Sequence, residues 1–227
     1  MPTNFVELAI LTPLPGQSLH SPSFIISLQR ILNTLSSTPG ALKFRFRISI
    51  SKTPQLLFLA LWTDKSGHEY LDIHGLAPKL MKEMFVLVKP DMVHYMYLDF
   101  SNIDLEAENV SVDIFYVKEG KRREFEEVVK STRRVGGWYV ARGLPEAPLV
   151  MPTDEKELRI VRMQKERAEK AIGEKVPDVW VGISTWNEGG EGFREQTREL
   201  VDRCESGVWG KYLEGGKDAP LGGIDLK

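Results

Sequence analysis

Cysteine is almost absent: Cys204 is the single one in 227 residues. That excludes an intramolecular disulfide and a Cys-rich zinc site, and it suits a reducing compartment such as the cytoplasm. Excess charge is missing too. The 30 Lys and Arg against 32 Asp and Glu leave a formal net charge of -2, so no broad positive field gathers nucleic acid. No apolar run approaches the ~20 residues that span a bilayer. Residues 1–16 carry no basic leader and read as a strand rather than a signal peptide. Compact catalytic signatures are missing as well: no Gly-x-Ser-x-Gly, no dinucleotide fingerprint, no zinc spacing. The glycines of NEGGEG at 187–192 precede a helix but lack the Lys-Ser/Thr ending of a phosphate loop, and read as a turn.

What the chain does have is alternation and a doubled order of elements. Hydrophobic residues make up 42%, enough for one large domain or two small fused ones. Residues 4–12 read as a strand that Pro13, Pro15 and Gly16 break. Ser21 and Pro22 open a helix as N-cap and first residue, with Ile25, Leu28, Leu32 and Leu35 at helical spacing. Over 43–50, Phe44, Phe46, Ile48 and Ile50 point one way, while Lys43, Arg45, Arg47 and Ser49 point the other. Residues 56–62 make a more apolar, central strand. A helical stretch over 65–88 breaks near Gly75, and 92–99 make a fourth strand. The order is β-α-β-β-α-β, a ferredoxin-like unit. It restarts with strand 110–117, helix 121–134, strands 136–142 and 179–186, and helix 191–207. No final strand is evident in the short stretch 207–213. The expected fold class is α+β. One ferredoxin-like unit spans 1–101, a connector 102–109, and a second unit 110–213, interrupted by an insertion at 144–177. A loose tail covers 214–227.

The run WTDKSGHEYLDIHGLAPKLMKEM at 62–84, followed by VHYMYLD at 93–99, resembles the dimeric α+β barrel superfamily. Within it the likeness is to antibiotic-biosynthesis-monooxygenase-like proteins, in which a strand ends in Trp and a polar turn leads to a helix carrying His or an aromatic. The stretch VWVGISTWNEGGEGF at 179–193 is a weaker second copy. The resemblance implies two antiparallel sheets paired into a closed barrel. Both halves lie in one chain, or a homodimer supplies them. It also implies cofactor-independent oxygenation, or a related cyclisation or isomerisation, of a small aromatic, polyketide-like or enolisable metabolite, often in secondary metabolism. The alternative is a non-catalytic ligand-binding or stress-response barrel. Haem handling is a third reading. Haem-degrading members use a Trp, a helical His and a first-strand Asn, and here Asn4 stands only at the start of that strand.

On the oxygenase reading, His94 is the base, Arg45 and Arg47 are the anion partners, and Trp62 and Tyr95 are packing walls. His68 follows Trp62, and Trp138, Tyr139 and Trp180 would line an aromatic pocket if they point inward. Glu7 and Asp113 hold positions from which they could pair with the arginines. Each residue has a plainer role: His94 a hydrogen-bonded structural histidine, Lys43, Arg45 and Arg47 a charged strand face, and the tryptophans core packing. His68 and His74 lie six apart, on opposite sides of a regular helix, which makes them a poor metal pair. No metal or cofactor is expected.

Overall fold

A computed structural model of the chain describes residues 4–49, 55–107, 109–118, 120–130, 135–138, 178–186, 208–216 and 224–225. The first half runs β1 (Asn4–Pro13), α1 (Pro22–Ser36), β2 (Ala41–Ser49), β3 (Leu56–Trp62), α2 (Lys65–Ile73), α3 (Leu76–Phe85) and β4 (Val88–Leu98). The second half runs β5 (Asn109–Val117), α4 (Arg122–Lys130), β6 (Val135–Trp138), β7 (Asp178–Trp186) and β8 (Val208–Gly216). A short β9 (Ile224–Asp225) pairs with β2.

The strands lie in the order β4-β1-β3-β2-β8-β5-β7-β6. The first four have the ferredoxin-like order, and the last four repeat it with β8 as the fourth strand of its half. The halves join where β2 pairs with β8, Ile48 opposite Gly216 and Ser49 opposite Gly215. At the far ends β6 lies beside β4. A Cβ on Gly137 would stand 2.7 Å from the Tyr97 carbonyl oxygen, so glycine is what permits this approach. The α+β barrel is therefore assembled from both halves of one chain.

Two expectations change. The final strand exists. It draws on residues 208–216, whose Gly-rich end offers little alternation to read, and it is held by pairing along β5. The stretch Lys89-Pro90, left outside the strand expected at 92–99, lies inside β4. Pro90 falls at a register irregularity opposite Leu11, where a missing N–H is tolerated. The insertion 144–177 and the helix expected at 191–207, with Cys204, lie outside the described residues.

Alternation sorts the apolar residues into separate cores. On the barrel side, Val6, Leu8, Ile10, Leu57, Leu59, Met92 and Met96 meet Val110, Val112, Ile114, Val179, Val181 and Ile183 of the other half. Among the described residues, these side chains pack against one another across this interior. On the helix side, Phe5, Phe44, Phe46, Phe58 and Trp62 pack against Phe24, Leu28, Ile31, Leu32 and Leu35 of α1. Ser21 caps α1 by accepting from the Phe24 amide at 3.3 Å. In the second half Phe115, Phe125 and Trp180 make a smaller cluster under α4. Burying each such side chain is worth about 1.5–3 kcal/mol, so sheet alternation decides the layering.

Candidate functional site

A cavity of about 80 Å³ lies on the helix side of the first half-sheet, between that sheet and α1–α3. Its floor is Glu7, Ala9 and Leu11 of β1 with Phe58, Val93 and Tyr95 of the flanking strands. Ile31 and Leu35 come from α1, His68 and Leu71 from α2, and Ala77, Leu80, Met81, Met84 and Phe85 from α3. The small side chains Ala9 and Ala77 leave space where larger ones would close it.

Strand register places Glu7 between Ala60 of β3 and Tyr95 of β4. A carboxylate is thus set into an apolar floor beside a methyl group. Local sequence brings His68 over it. Trp62 ends β3, Asp64 caps α2 by accepting from the Ser66 amide at 2.8 Å, and His68, Leu71 and Asp72 form the buried face of α2. Gly67 allows the close approach: a Cβ there would stand 3.1 Å from the Pro39 carbonyl oxygen and 3.2 Å from the Trp62 ring.

His68 Nε2 stands 3.3 Å from Glu7 Oε2. The imidazole is 4% exposed. It meets Phe5, Trp62 and Tyr95 nearly at right angles, with centroid distances of 5.7, 5.7 and 5.1 Å. Its other nitrogen, Nδ1, is buried with no hydrogen-bond partner among the described residues. A carboxylate beside Nε2 favours the tautomer with the proton there, which leaves Nδ1 as the acceptor. The arrangement can orient a neutral imidazole and stabilise its cation.

The residues expected to converge do so only in part. His68 and Tyr95 line the cavity, and Trp62 stands behind His68, fully buried. His94, expected as the base, points the other way, between Met92 and Met96 on the barrel side. Among the described residues its neighbours on that side are the aliphatic side chains of the barrel core, which set it apart from the helix-side cavity. Arg45 and Arg47 also lie on the barrel side of β2. Arg45 pairs through Nε with Glu106 Oε1 at 2.9 Å, and Lys43 joins the same oxygen at 2.9 Å. Arg47 donates to the Leu105 carbonyl. Burial lowers the Arg47 guanidinium from its ordinary value, against the pull of Glu106. Burial raises the Glu106 carboxyl, but bonds and charges from Lys43 and Arg45 outweigh it and hold it below the ordinary glutamate value. These cations fasten the connector between the halves.

Neither Glu7 nor Asp113 meets the arginines in the expected way. Glu7 faces the helices, and Asp113 is buried on the face of β5 that also carries Phe115. Trp138 and Trp180 belong to the second half and pack against Phe125, at 5.8 and 5.5 Å between centroids. Trp138 Nε1 donates to Glu126 at 2.8 Å, and Arg122 lies 4.3 Å from its ring centre. Tyr139 lies outside the described residues. His74 sits at the exposed end of α2, stacked on Tyr70 at 3.7 Å. Glu7, expected as a possible partner of the arginines, is instead the partner of His68. A single acidic residue inside an otherwise apolar strand was its signal.

No protein-family model and no curated protein sequence matches the chain. Solved structures share its fold. A candidate monooxygenase of Fusobacterium nucleatum subsp. nucleatum superposes with a TM-score of 0.55 at 9% identity, over 99% of this chain and 98% of that one. A candidate chlorite dismutase gives 0.53 at 14% identity, over 96% and 98%. A candidate monooxygenase of Lactobacillus acidophilus gives 0.50 at 11% identity, over 99% and 100%. At such identities the likeness is one of fold, over nearly the whole length of each chain.

Proposed function

We propose that the chain is an enzyme of the cofactor-independent oxygenase type whose site is the helix-side cavity, with His68 as general base and Glu7 as the group that orients it. The observation that carries this reading is the 3.3 Å pairing of His68 and Glu7 on the wall of an otherwise apolar cavity. A carboxylate on one nitrogen fixes the tautomer, and the other nitrogen keeps a lone pair for a substrate proton. The surrounding rings hold the imidazole in place, and Glu7 stabilises the imidazolium that forms.

The substrate that suits this base is a small ring with an acidic C–H or O–H. Proton removal leaves an anion beside the His68 cation, as electrostatic stabilisation requires. Such an anion adds dioxygen, and the His68 proton goes to the resulting peroxide. Loss of water then converts a CH2 group and O2 into a carbonyl group and H2O. Two proteins of the same fold are named as candidate monooxygenases, and this supports the oxygen-using version. Without oxygen, the same proton transfer serves an isomerisation or cyclisation.

The test is base catalysis itself. Simple cyclic ketones and single-ring phenols are incubated with the full chain in D2O, with NMR following C–H exchange and an electrode following oxygen uptake. Exchange that His68→Gln abolishes and His94→Leu preserves is the expected result. Exchange indifferent to His68→Gln removes the proposed base. A second reading, a ligand-binding protein without turnover, is favoured by the small cavity. Binding without exchange or oxygen uptake would establish it.

A further inference from the structure

We infer that Glu7 restricts this cavity to uncharged single-ring ligands bearing one proton donor, and that it excludes organic anions of the same size. The inference rests on the cavity being the binding site proposed above, but not on any turnover there. Three observations carry it.

First, among the described residues no lysine or arginine lines the cavity. The cations of the first half-sheet are on its other face, where Lys43 and Arg45 are engaged by Glu106. Second, the one cationic candidate among the described lining residues, His68, already faces the Glu7 carboxylate at 3.3 Å. With the imidazole neutral the pair carries one negative charge, and with it protonated the pair is neutral. Neither state offers an entering carboxylate an uncompensated positive partner. The anion would lose water and meet Glu7 instead, and both effects oppose binding. A phenol keeps its proton at neutral pH and can donate it. Third, the volume sets the size. The cavity measures about 80 Å³, below the ~150 Å³ of an apolar cavity known to take benzene. One ring enters only as the side chains toward α3 give way. Met81 and Met84 lie there, and unbranched thioether chains adapt at low cost. A fused polyketide would place one ring in the cavity and the rest outside it.

Glu7 thereby becomes the residue that sets specificity, by repulsion as much as attraction. The test is an NMR titration of the 15N-labelled full chain at pH 7 with phenol and with benzoate, reading the amides of Leu71 and Ala77. The native chain is expected to bind phenol at least about tenfold more tightly than benzoate, the scale of a like-charge penalty. Glu7→Gln is expected to bring the two within about threefold, mainly by tightening benzoate. His68→Gln keeps the carboxylate and should leave benzoate excluded. This second variant decides the matter if Glu7→Gln does not fold. Benzoate binding as tightly as phenol in the native chain overturns the inference while leaving the cavity as the site. A ratio unchanged by Glu7→Gln, or narrowed by His68→Gln, overturns it in the same way. If neither probe moves those amides, the cavity is not the site and both proposals fall.

Discussion

His94 and Tyr95, neighbours in β4, face opposite sides of the sheet. Tyr95 lines the helix-side cavity, and His94 stands among methionines inside the barrel. Substitution at the two positions should therefore have separable effects. His94→Leu should leave the phenol dissociation constant within about twofold, as expected of a side chain on the opposite face of the sheet. Tyr95→Leu should weaken it by about threefold to tenfold, the loss of one aromatic contact. Titration of both variants under identical conditions checks this, and equal losses would contradict the separation of the faces.

Ala9 keeps the cavity open. It sits on β1 opposite Phe58 and Val93, where a larger side chain would project into the space. Ala9→Val should abolish phenol binding and leave the melting temperature unchanged or raised by an amount equivalent to about 0.5–2 kcal/mol, as cavity filling does. Calorimetry and the same titration measure the two effects. A folded variant that still binds would move the ligand elsewhere.

Periodicity was enough to read the strand and helix order of the first half, because Phe44 to Ile48 alternate cleanly and Leu28, Leu32 and Leu35 repeat at helical spacing. It could not say which side of the sheet the helices would cover. For β4, where His94 and Tyr95 are both plausible site residues, that choice decides the site. The arginines misled for the same reason. Their face was legible, but its partner, Glu106, lies in the connector, where no periodicity operates. The eighth strand was hidden because it is specified by long-range pairing with β5 and β2, not by its own pattern.

Glu106 couples the junction of the halves to pH. Its carboxyl is held below the ordinary value, with the bonds from Lys43 and Arg45 overcoming the opposing effect of burial. A depressed carboxyl contributes stability that is complete above its unfolded value and is lost as pH falls through the lower folded value. Glu106→Gln should thus be less stable than the native chain at pH 7, by about 1 kcal/mol after allowance for the solvent screening of a half-exposed group. The two should converge at acid pH. Urea melts from pH 7 downward give the difference, and a gap that persists in acid would mean the carboxylate charge is not the cause.

Gly137 is expected to be intolerant. Any Cβ there meets the backbone of β4, with the Tyr97 oxygen 2.7 Å away and Leu98 Cδ2 at 3.0 Å. Gly137→Ala should cost about 1–3 kcal/mol, the range for overpacking, and denaturant unfolding would show it. A neutral outcome would mean that β6 and β4 can part without loss.

The seam between β2 and β8 also bears on how the chain is made. β8 sits between the two halves, yet it follows β1 to β7 in the sequence, with Ile48 pairing to Gly216. During synthesis, β2 has only β3 beside it until those residues emerge. The aliphatic face of β1 and β3 likewise waits for its counterpart on β5 and β7. Such a late stave means slow, non-local closure and a nascent first half whose oily face must be kept from other chains. A chain cut short before residue 208 would lack the strand that joins β2 to β5, and the protein's dependence on chaperones should ease only once β8 has left the ribosome.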